Sequence, residues 1–130
     1  MKRPHVVPLA RQVVNLLEEV GKFTGGGRYV FPSTFSVSRC ISDMGLLNAL
    51  RRMGYGRGVA TIHGFRTTAS TLLNERGYRP DVIEAQLSHG EGNKIRAAYN
   101  RAEYLPERRA MMQEYADYLD GLREQSWPGA

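Results

Sequence analysis

The stretch from residue 61 to residue 77 constrains the fold of this chain more than any other part of its sequence. Apolar residues recur there with the i, i+4, i+7 and i+8 spacing of one helix face, at Phe65, Ala69, Leu72 and Leu73. Gly77 follows three polar residues and can adopt the left-handed conformation that commonly ends a helix. The pattern therefore predicts an amphipathic helix whose apolar face is anchored in a core.

His63 and Arg66 lie in the first part of this helix and are three residues apart. Residues with that spacing project from neighbouring positions of a helix surface. Both fall to one side of the apolar stripe, so they can reach a ligand while the helix stays anchored. A single histidine in a helix is more often structural than functional, and the pair alone is weak support for a site.

Helical spacing of apolar residues, or residues typical of helix ends, predicts four further long helices. They run from about Leu9 to Val20, from about Asp43 to Met53, from Pro80 through Leu87 toward His89, and from Pro106 to about Glu124. Proline suits a helix entrance and glycine a helix end, so Gly21 is expected to close the first of these segments. Ser42 or Asp43 is expected to cap the second. A shorter helical segment is expected over residues 94–98.

Only one part of the chain has the composition of extended structure. Residues 29–31 are apolar and aromatic and are stopped by Pro32, which predicts a short strand or extended segment. The polar residues 33–39 are expected to form a surface loop. With five long helical segments and one short one beside this single extended segment, the sequence predicts a mainly α (α+β) fold.

Length, cysteine content and hydropathy set the broad class. A chain of 130 residues suggests one domain. Cys40 is the single cysteine, so an intramolecular disulfide is excluded and a reducing compartment, the cytoplasm, is expected. No apolar run approaches the roughly 20 residues of a membrane span, and the first residues do not have the pattern of a signal peptide. No membrane partner is therefore predicted.

The charge balance favours a polyanionic partner. The formal net charge is +5, with 18 Lys and Arg against 13 Asp and Glu. Most of the basic residues are arginines, whose planar guanidinium can grip phosphate oxygens in pairs. Arg51, Arg52 and Arg57 flank a glycine-rich loop and are candidate contacts to a DNA backbone. Simple solubility explains the same three residues equally well.

The ordered pattern His63-x-x-Arg66, then Leu87-x-His89, then Tyr99 ten residues later resembles the catalytic domain of the tyrosine recombinases. The flanking residues 67–77 and 95–104 look like those of prophage and genomic-island integrases in particular. The resemblance runs from about His5 to Leu122. It implies that residues 1–130 are the C-terminal part of the helical catalytic domain of DNA breaking-rejoining enzymes, truncated at the N-terminus.

The resemblance also implies roles for four residues and a reaction without metal or cofactor. Tyr99 would attack a DNA phosphodiester and form a covalent 3′-phosphotyrosine, while His63 assists the proton transfer. Arg66 and His89 would hold the phosphate oxygens. Tyr104 competes with Tyr99 for the role of nucleophile. The distance of Tyr99 from His89 favours Tyr99. The three histidines do not have zinc-ligand spacing.

The chain departs from the family pattern in its first residues. The family uses a first catalytic arginine on an early helix and a lysine on a hairpin, and Lys2 is out of register with that lysine. The chain alone is therefore expected to recombine nothing. Expected partners are double-stranded DNA attachment sites and other integrase protomers, in the nucleoid of a bacterial host.

Two other functions remain open for this sequence. One is a non-catalytic DNA-binding module that retains the fold. The other is a protein-interaction module that uses the apolar stripe of the C-terminal helix, which can pack within the chain or onto a neighbouring protomer. The stripe comprises Met111, Met112, Tyr115, Tyr118, Leu119 and Leu122.

Overall fold

The structure is a computed structural model that describes residues 5–88 and 104–126. Five helices and one two-stranded sheet lie in these ranges: α1 (Arg11–Thr24), β1 (Pro32–Ser33), β2 (Ser36–Cys40), α2 (Asp43–Arg52), α3 (Ile62–Glu75), α4 (Pro80–Leu87) and α5 (Leu105–Ser126). The predicted mainly α fold class is confirmed. The expected helix at residues 94–98 lies outside the described ranges. The chain divides into two compact units, one of residues 12–69 and one of residues 1–11 with 70–130.

Helix α1 is longer than the sequence predicts, because Gly21 does not end it. The helix continues to Thr24, where the Gly21 carbonyl accepts a hydrogen bond from the backbone N–H of Gly25 at 2.8 Å. The Thr24 hydroxyl donates to the Val20 carbonyl at 3.2 Å. A glycine in a helix interior costs only about 1 kcal/mol, so the end falls at the glycine run that begins at residue 25.

Residues 33–39 form most of a β-hairpin and not the predicted surface loop. Strands β1 and β2 are antiparallel, with Pro32 opposite Cys40 and Ser33 opposite Ser36. The turn is closed by the Ser33 hydroxyl, which accepts a hydrogen bond from the backbone N–H of Phe35 at 3.2 Å. Four of the five β2 residues, including the free cysteine Cys40, are exposed.

Helices α2 and α4 begin where the sequence predicts, because local capping and turn residues set their starts. Ser42 caps α2, its hydroxyl accepting from the Gly45 backbone N–H at 3.1 Å. Gly77 has the predicted left-handed conformation, with φ of +81°, and Pro80 is at the start of α4. Ser88 ends α4, also in the left-handed region.

The core of the second unit lies between α3, α4 and α5. Its buried side chains are Leu73, Val82, Ile83 and Met111, each at most 2% exposed. Half-buried Tyr78, Leu87, Met112 and Tyr115 pack around them. Helix α5 runs two residues beyond its predicted end, and its apolar stripe is buried at Met111 but exposed at Leu119 and Leu122.

The unit of residues 12–69 leaves much of its apolar surface exposed. Helix α1 has no buried residue, although its apolar residues follow helical spacing. The sequence predicts that Phe65 faces a core, and this prediction is wrong, because the Phe65 side chain is 55% exposed. Leu50 of α2 is the large apolar residue that the described part of this unit buries.

Candidate active site

The first two turns of α3 carry the two described members of the predicted catalytic set. Thr61 precedes the helix, and its hydroxyl accepts a hydrogen bond from the backbone N–H of Gly64 at 2.9 Å. The Thr61 carbonyl accepts from the Phe65 N–H at 3.3 Å. This capping satisfies N–H groups that otherwise have no partner at a helix start. The cap fixes the helix end from which His63 and Arg66 project.

His63 and Arg66 differ in exposure. The His63 side chain is exposed, while the Arg66 side chain is half-buried and has an interaction within the molecule. The two residues are one helical turn apart on α3, as the sequence predicts. An exposed imidazole and a partly covered guanidinium one turn apart are two potential donors to an anionic group.

One cavity close to these two residues is not lined by them. It has a volume of about 230 Å³ and lies beside the start of α3. Its walls are Gly58, Val59, Ala60, Thr61, Gly64, Phe65 and Thr68. His63 and Arg66 therefore project from the helix outside this cavity.

His89 and Tyr99 lie outside the described residues, so the structure does not test whether they join His63 and Arg66. Tyr104, the competing nucleophile, is described and is part of a polar cluster. The guanidinium of Arg79 lies over the Tyr104 ring, 5.2 Å from its centroid, and pairs with Asp81 at 2.6 Å. Burial, with a hydrogen bond to Asp81, raises the pKa of Tyr104. A raised pKa leaves less phenolate, which disfavours Tyr104 as a nucleophile.

Sequence reasoning missed a buried arginine, Arg108, on the first turns of α5. The side chain is 2% exposed, and its Nε donates to Oε1 of Gln86 at 2.9 Å. Its Nη2 donates to the Val6 carbonyl at 2.6 Å, while His5 Nε2 lies 3.2 Å from the Gln86 carbonyl. These bonds join the N-terminal segment, α4 and α5. Arg108 is three residues before Met111, so extending the apolar stripe by one turn would have placed it on the buried face.

The candidate DNA contacts of the sequence differ in their surroundings. Arg51 is half-buried and donates to Asn48 Oδ1 at 3.5 Å, whereas Arg52 and Arg57 are exposed. Arg51 and Arg52 are also in the last turn of α2, where a positive charge is favoured by the helix dipole. Helix stability thus explains part of their presence.

Two searches of the described residues bear on other chemistry. Over residues 5–88 and 104–126, His, Cys, Asp and Glu side chains do not gather in groups of three or more that could hold a metal ion. None of the helices in the same ranges has the length and hydropathy needed to cross a membrane.

The fold and the spacing of these residues define a class of protein. The chain belongs to the phage integrase family, which matches its residues 1–105. The matched region contains all four predicted catalytic positions.

Individual relatives are integrases of prophages and phages. The prophage integrase IntZ of Escherichia coli (strain K12) is 51% identical over 122 residues, which cover 93% of this chain and 30% of that protein. The integrase of Enterobacteria phage P4 is 45% identical over 123 residues, covering 92% of this chain and 28% of that protein. The chain therefore spans less than a third of the length of these relatives. No solved structure matches it at a significant level.

Proposed function

We propose that the chain carries the nucleophile-bearing part of a site-specific DNA recombinase that cleaves and rejoins strands through a covalent 3′-phosphotyrosine. The observation that carries this proposal is the capped start of α3, which presents an exposed His63 and a half-buried Arg66 one turn apart. Membership of the phage integrase family supports it.

The proposed reaction conserves the energy of the phosphodiester. The Tyr99 phenolic oxygen attacks phosphorus, a bond forms between them, and the bond from phosphorus to the 5′ oxygen breaks. The 5′ hydroxyl leaves with a proton, and a later attack by a DNA hydroxyl reverses the step and releases the tyrosine. No external energy source is needed.

Each side chain has one task in this scheme. A tyrosine has an ordinary pKa of about 10, so Tyr99 needs a proton acceptor at neutral pH, which is the role of His63. Arg66 and His89 donate hydrogen bonds to the non-bridging oxygens, where negative charge grows in the transition state. Loss of one such donor costs on the order of 3 kcal/mol in comparable sites.

The partners of this reaction are double-stranded attachment sites and other integrase protomers, in the cytoplasm of a bacterial host and at its nucleoid. The exposed Leu119 and Leu122 at the end of the α5 stripe favour protomer contact through this helix. Sizing the chain and its Leu119→Ser, Leu122→Ser double variant tests that contact, because both residues are exposed and lie outside the buried core. Loss of oligomers in the double variant supports it, and a monomer in both cases contradicts it.

A trapping experiment tests the nucleophile. Residues 1–130 are carried in a full-length integrase, in place of the matching part of the phage P4 relative, and mixed with a nicked duplex containing the site that this integrase cleaves. We expect a covalent protein–DNA adduct that Tyr99→Phe abolishes while DNA binding is retained. Tyr104→Phe is the control and keeps the adduct. An adduct that persists in Tyr99→Phe would reject the assignment.

The 130-residue chain is the second arm of this experiment. We propose that residues 1–130 do not include the family's first catalytic arginine, and we expect the chain alone to give no recombination of the same sites. Recombination by the chain alone would contradict the proposal that part of the catalytic set lies outside residues 1–130. A DNA-binding module without catalysis predicts that Tyr99→Phe has no effect on any DNA-dependent property.

A further inference from the structure

A groove lies between the β1–β2 hairpin and α2, within the unit of residues 12–69. Its volume is about 230 Å³. That is below the roughly 300–1,000 Å³ of pockets that enclose a whole drug-sized ligand. A group the size of one nucleotide fragment fits this volume better than an entire cofactor does.

The groove is lined by polar side chains and by the apolar residues Ile41, Met44 and Ala49. The polar walls are Ser33, Thr34, Ser42, Asn48 and Arg52, and Phe35 stands at the rim with its side chain 98% exposed. Within the described ranges of the chain, no aspartate or glutamate lines the groove. This chemistry suits an anion and disfavours a cation.

Ser33, Ser42 and Asn48 each accept one hydrogen bond within the molecule. The Ser33 and Ser42 hydroxyl oxygens accept from the backbone N–H groups of Phe35 and Gly45, at 3.2 and 3.1 Å. The Asn48 Oδ1 accepts from Arg51 at 3.5 Å. Each of these oxygens keeps a second lone pair, and the hydroxyl hydrogens of the serines and the amide hydrogens of Asn48 can be donated to an anion.

The charge of the surrounding unit reinforces the preference for an anion. Residues 12–69 contain seven Lys and Arg against three Asp and Glu, a formal net charge of +4. Among the residues that the structure describes, Arg52 makes no ion pair, whereas Arg11, Arg79 and Arg123 of the other unit each pair with a carboxylate. Arg52 is therefore available to a phosphate.

We propose that this groove binds one phosphodiester of the DNA backbone, with Arg52 as the charged contact and Asn48, Ser33 and Ser42 as neutral donors. The exposed ring of Phe35 then contacts the adjoining deoxyribose. This assignment rests on the proposed function for the identity of the polymer. It separates Arg52 from Arg51, which donates to Asn48 Oδ1 and does not line the groove.

Equilibrium binding of the 130-residue chain tests the proposal. A fluorescein-labelled 25-base-pair duplex is titrated by anisotropy between 50 and 200 mM NaCl, conditions in which each phosphate contact contributes about 0.9 to the slope of log K against log salt. We expect Arg52→Gln to lower that slope by about 0.9 and to weaken Kd roughly 5- to 10-fold at 0.1 M salt. Arg52→Lys, which keeps the charge, should retain the slope.

Two further variants separate this contact from bulk charge. Arg123→Gln makes the same charge change at an arginine that pairs with Asp120 at 3.6 Å, and it should leave the slope unchanged. Asn48→Ala should weaken Kd about 5-fold, the worth of one neutral hydrogen bond, with no change of slope. Thermal melts by circular dichroism establish that each variant is folded.

Three outcomes overturn the proposal. Equal slopes for Arg52→Gln and Arg123→Gln would remove Arg52 from the DNA contact while leaving the Tyr99 nucleophile untouched. Binding of inorganic phosphate or thymidine monophosphate that needs Arg52 but does not compete with the duplex would make the groove a site for free phosphate. No salt-dependent binding by the unaltered chain would contradict both the groove and the DNA partner.

Discussion

Replacing the buried Arg108 by methionine should destabilise the second unit strongly. The substitution removes hydrogen bonds of 2.9 Å to Gln86 and 2.6 Å to the Val6 carbonyl. Each acceptor left unsatisfied in a buried place costs about 1–3 kcal/mol. Methionine fills most of the volume and removes a buried charge, which offsets part of that loss. We expect a net loss of about 2–4 kcal/mol in the free energy of unfolding.

Urea unfolding followed by circular dichroism measures this loss, and hydrogen exchange of α4 and α5 amides localises it. Arg109→Met is the matched control, because Arg109 is the next residue on the same helix and is exposed. Its effect should stay within about 0.5 kcal/mol. Gln86→Leu combined with Arg108→Met should lose less than the two single variants together. Equal unfolding midpoints for Arg108→Met and Arg109→Met would refute the reasoning.

Two further predictions concern α3 and α5. Thr61→Val removes the cap of α3 and should lower the free energy of unfolding by about 1 kcal/mol, seen as faster hydrogen exchange of the Gly64 amide. Thr67→Val is the control and should change little, because the Thr67 hydroxyl only donates back to the His63 carbonyl. Burial, followed by a hydrogen bond to Glu114, raises the pKa of Tyr78 to about 12. Between pH 10 and 12 the folded chain keeps the Tyr78 phenolic proton while the unfolded chain loses it, so the free energy of unfolding should fall as the pH rises through this range. Thermal melts of Tyr78→Phe should show a smaller fall.

Local signals in the sequence predicted much of the helical framework correctly. Ser42, Gly77 and Pro80 act within a few residues of themselves, through a cap, a left-handed backbone and a fixed φ. Such effects depend little on the rest of the fold. His63 and Arg66 were placed on adjacent turns of one helix for the same reason, since helical spacing alone sets that relation.

Features that depend on tertiary surroundings were not predictable in this way. The hairpin of residues 32–40 has polar and exposed residues on both faces, so alternation of apolar residues gave no sign of it. Arg108 was missed because a charged residue is expected at the surface, and only its partners across the core make burial tolerable. Convergence of His89 and Tyr99 on α3 stays a prediction.

The single cysteine of the chain gives the proposed groove its own reporter. Cys40 is exposed at the end of β2, one residue before Ile41, which lines the groove. Because the sequence has no other thiol, a maleimide dye will attach at this one place. A change in the emission of this dye on adding the duplex is expected if the groove is occupied, and handling of the protein in air will require a reductant to prevent chains from coupling through the same atom.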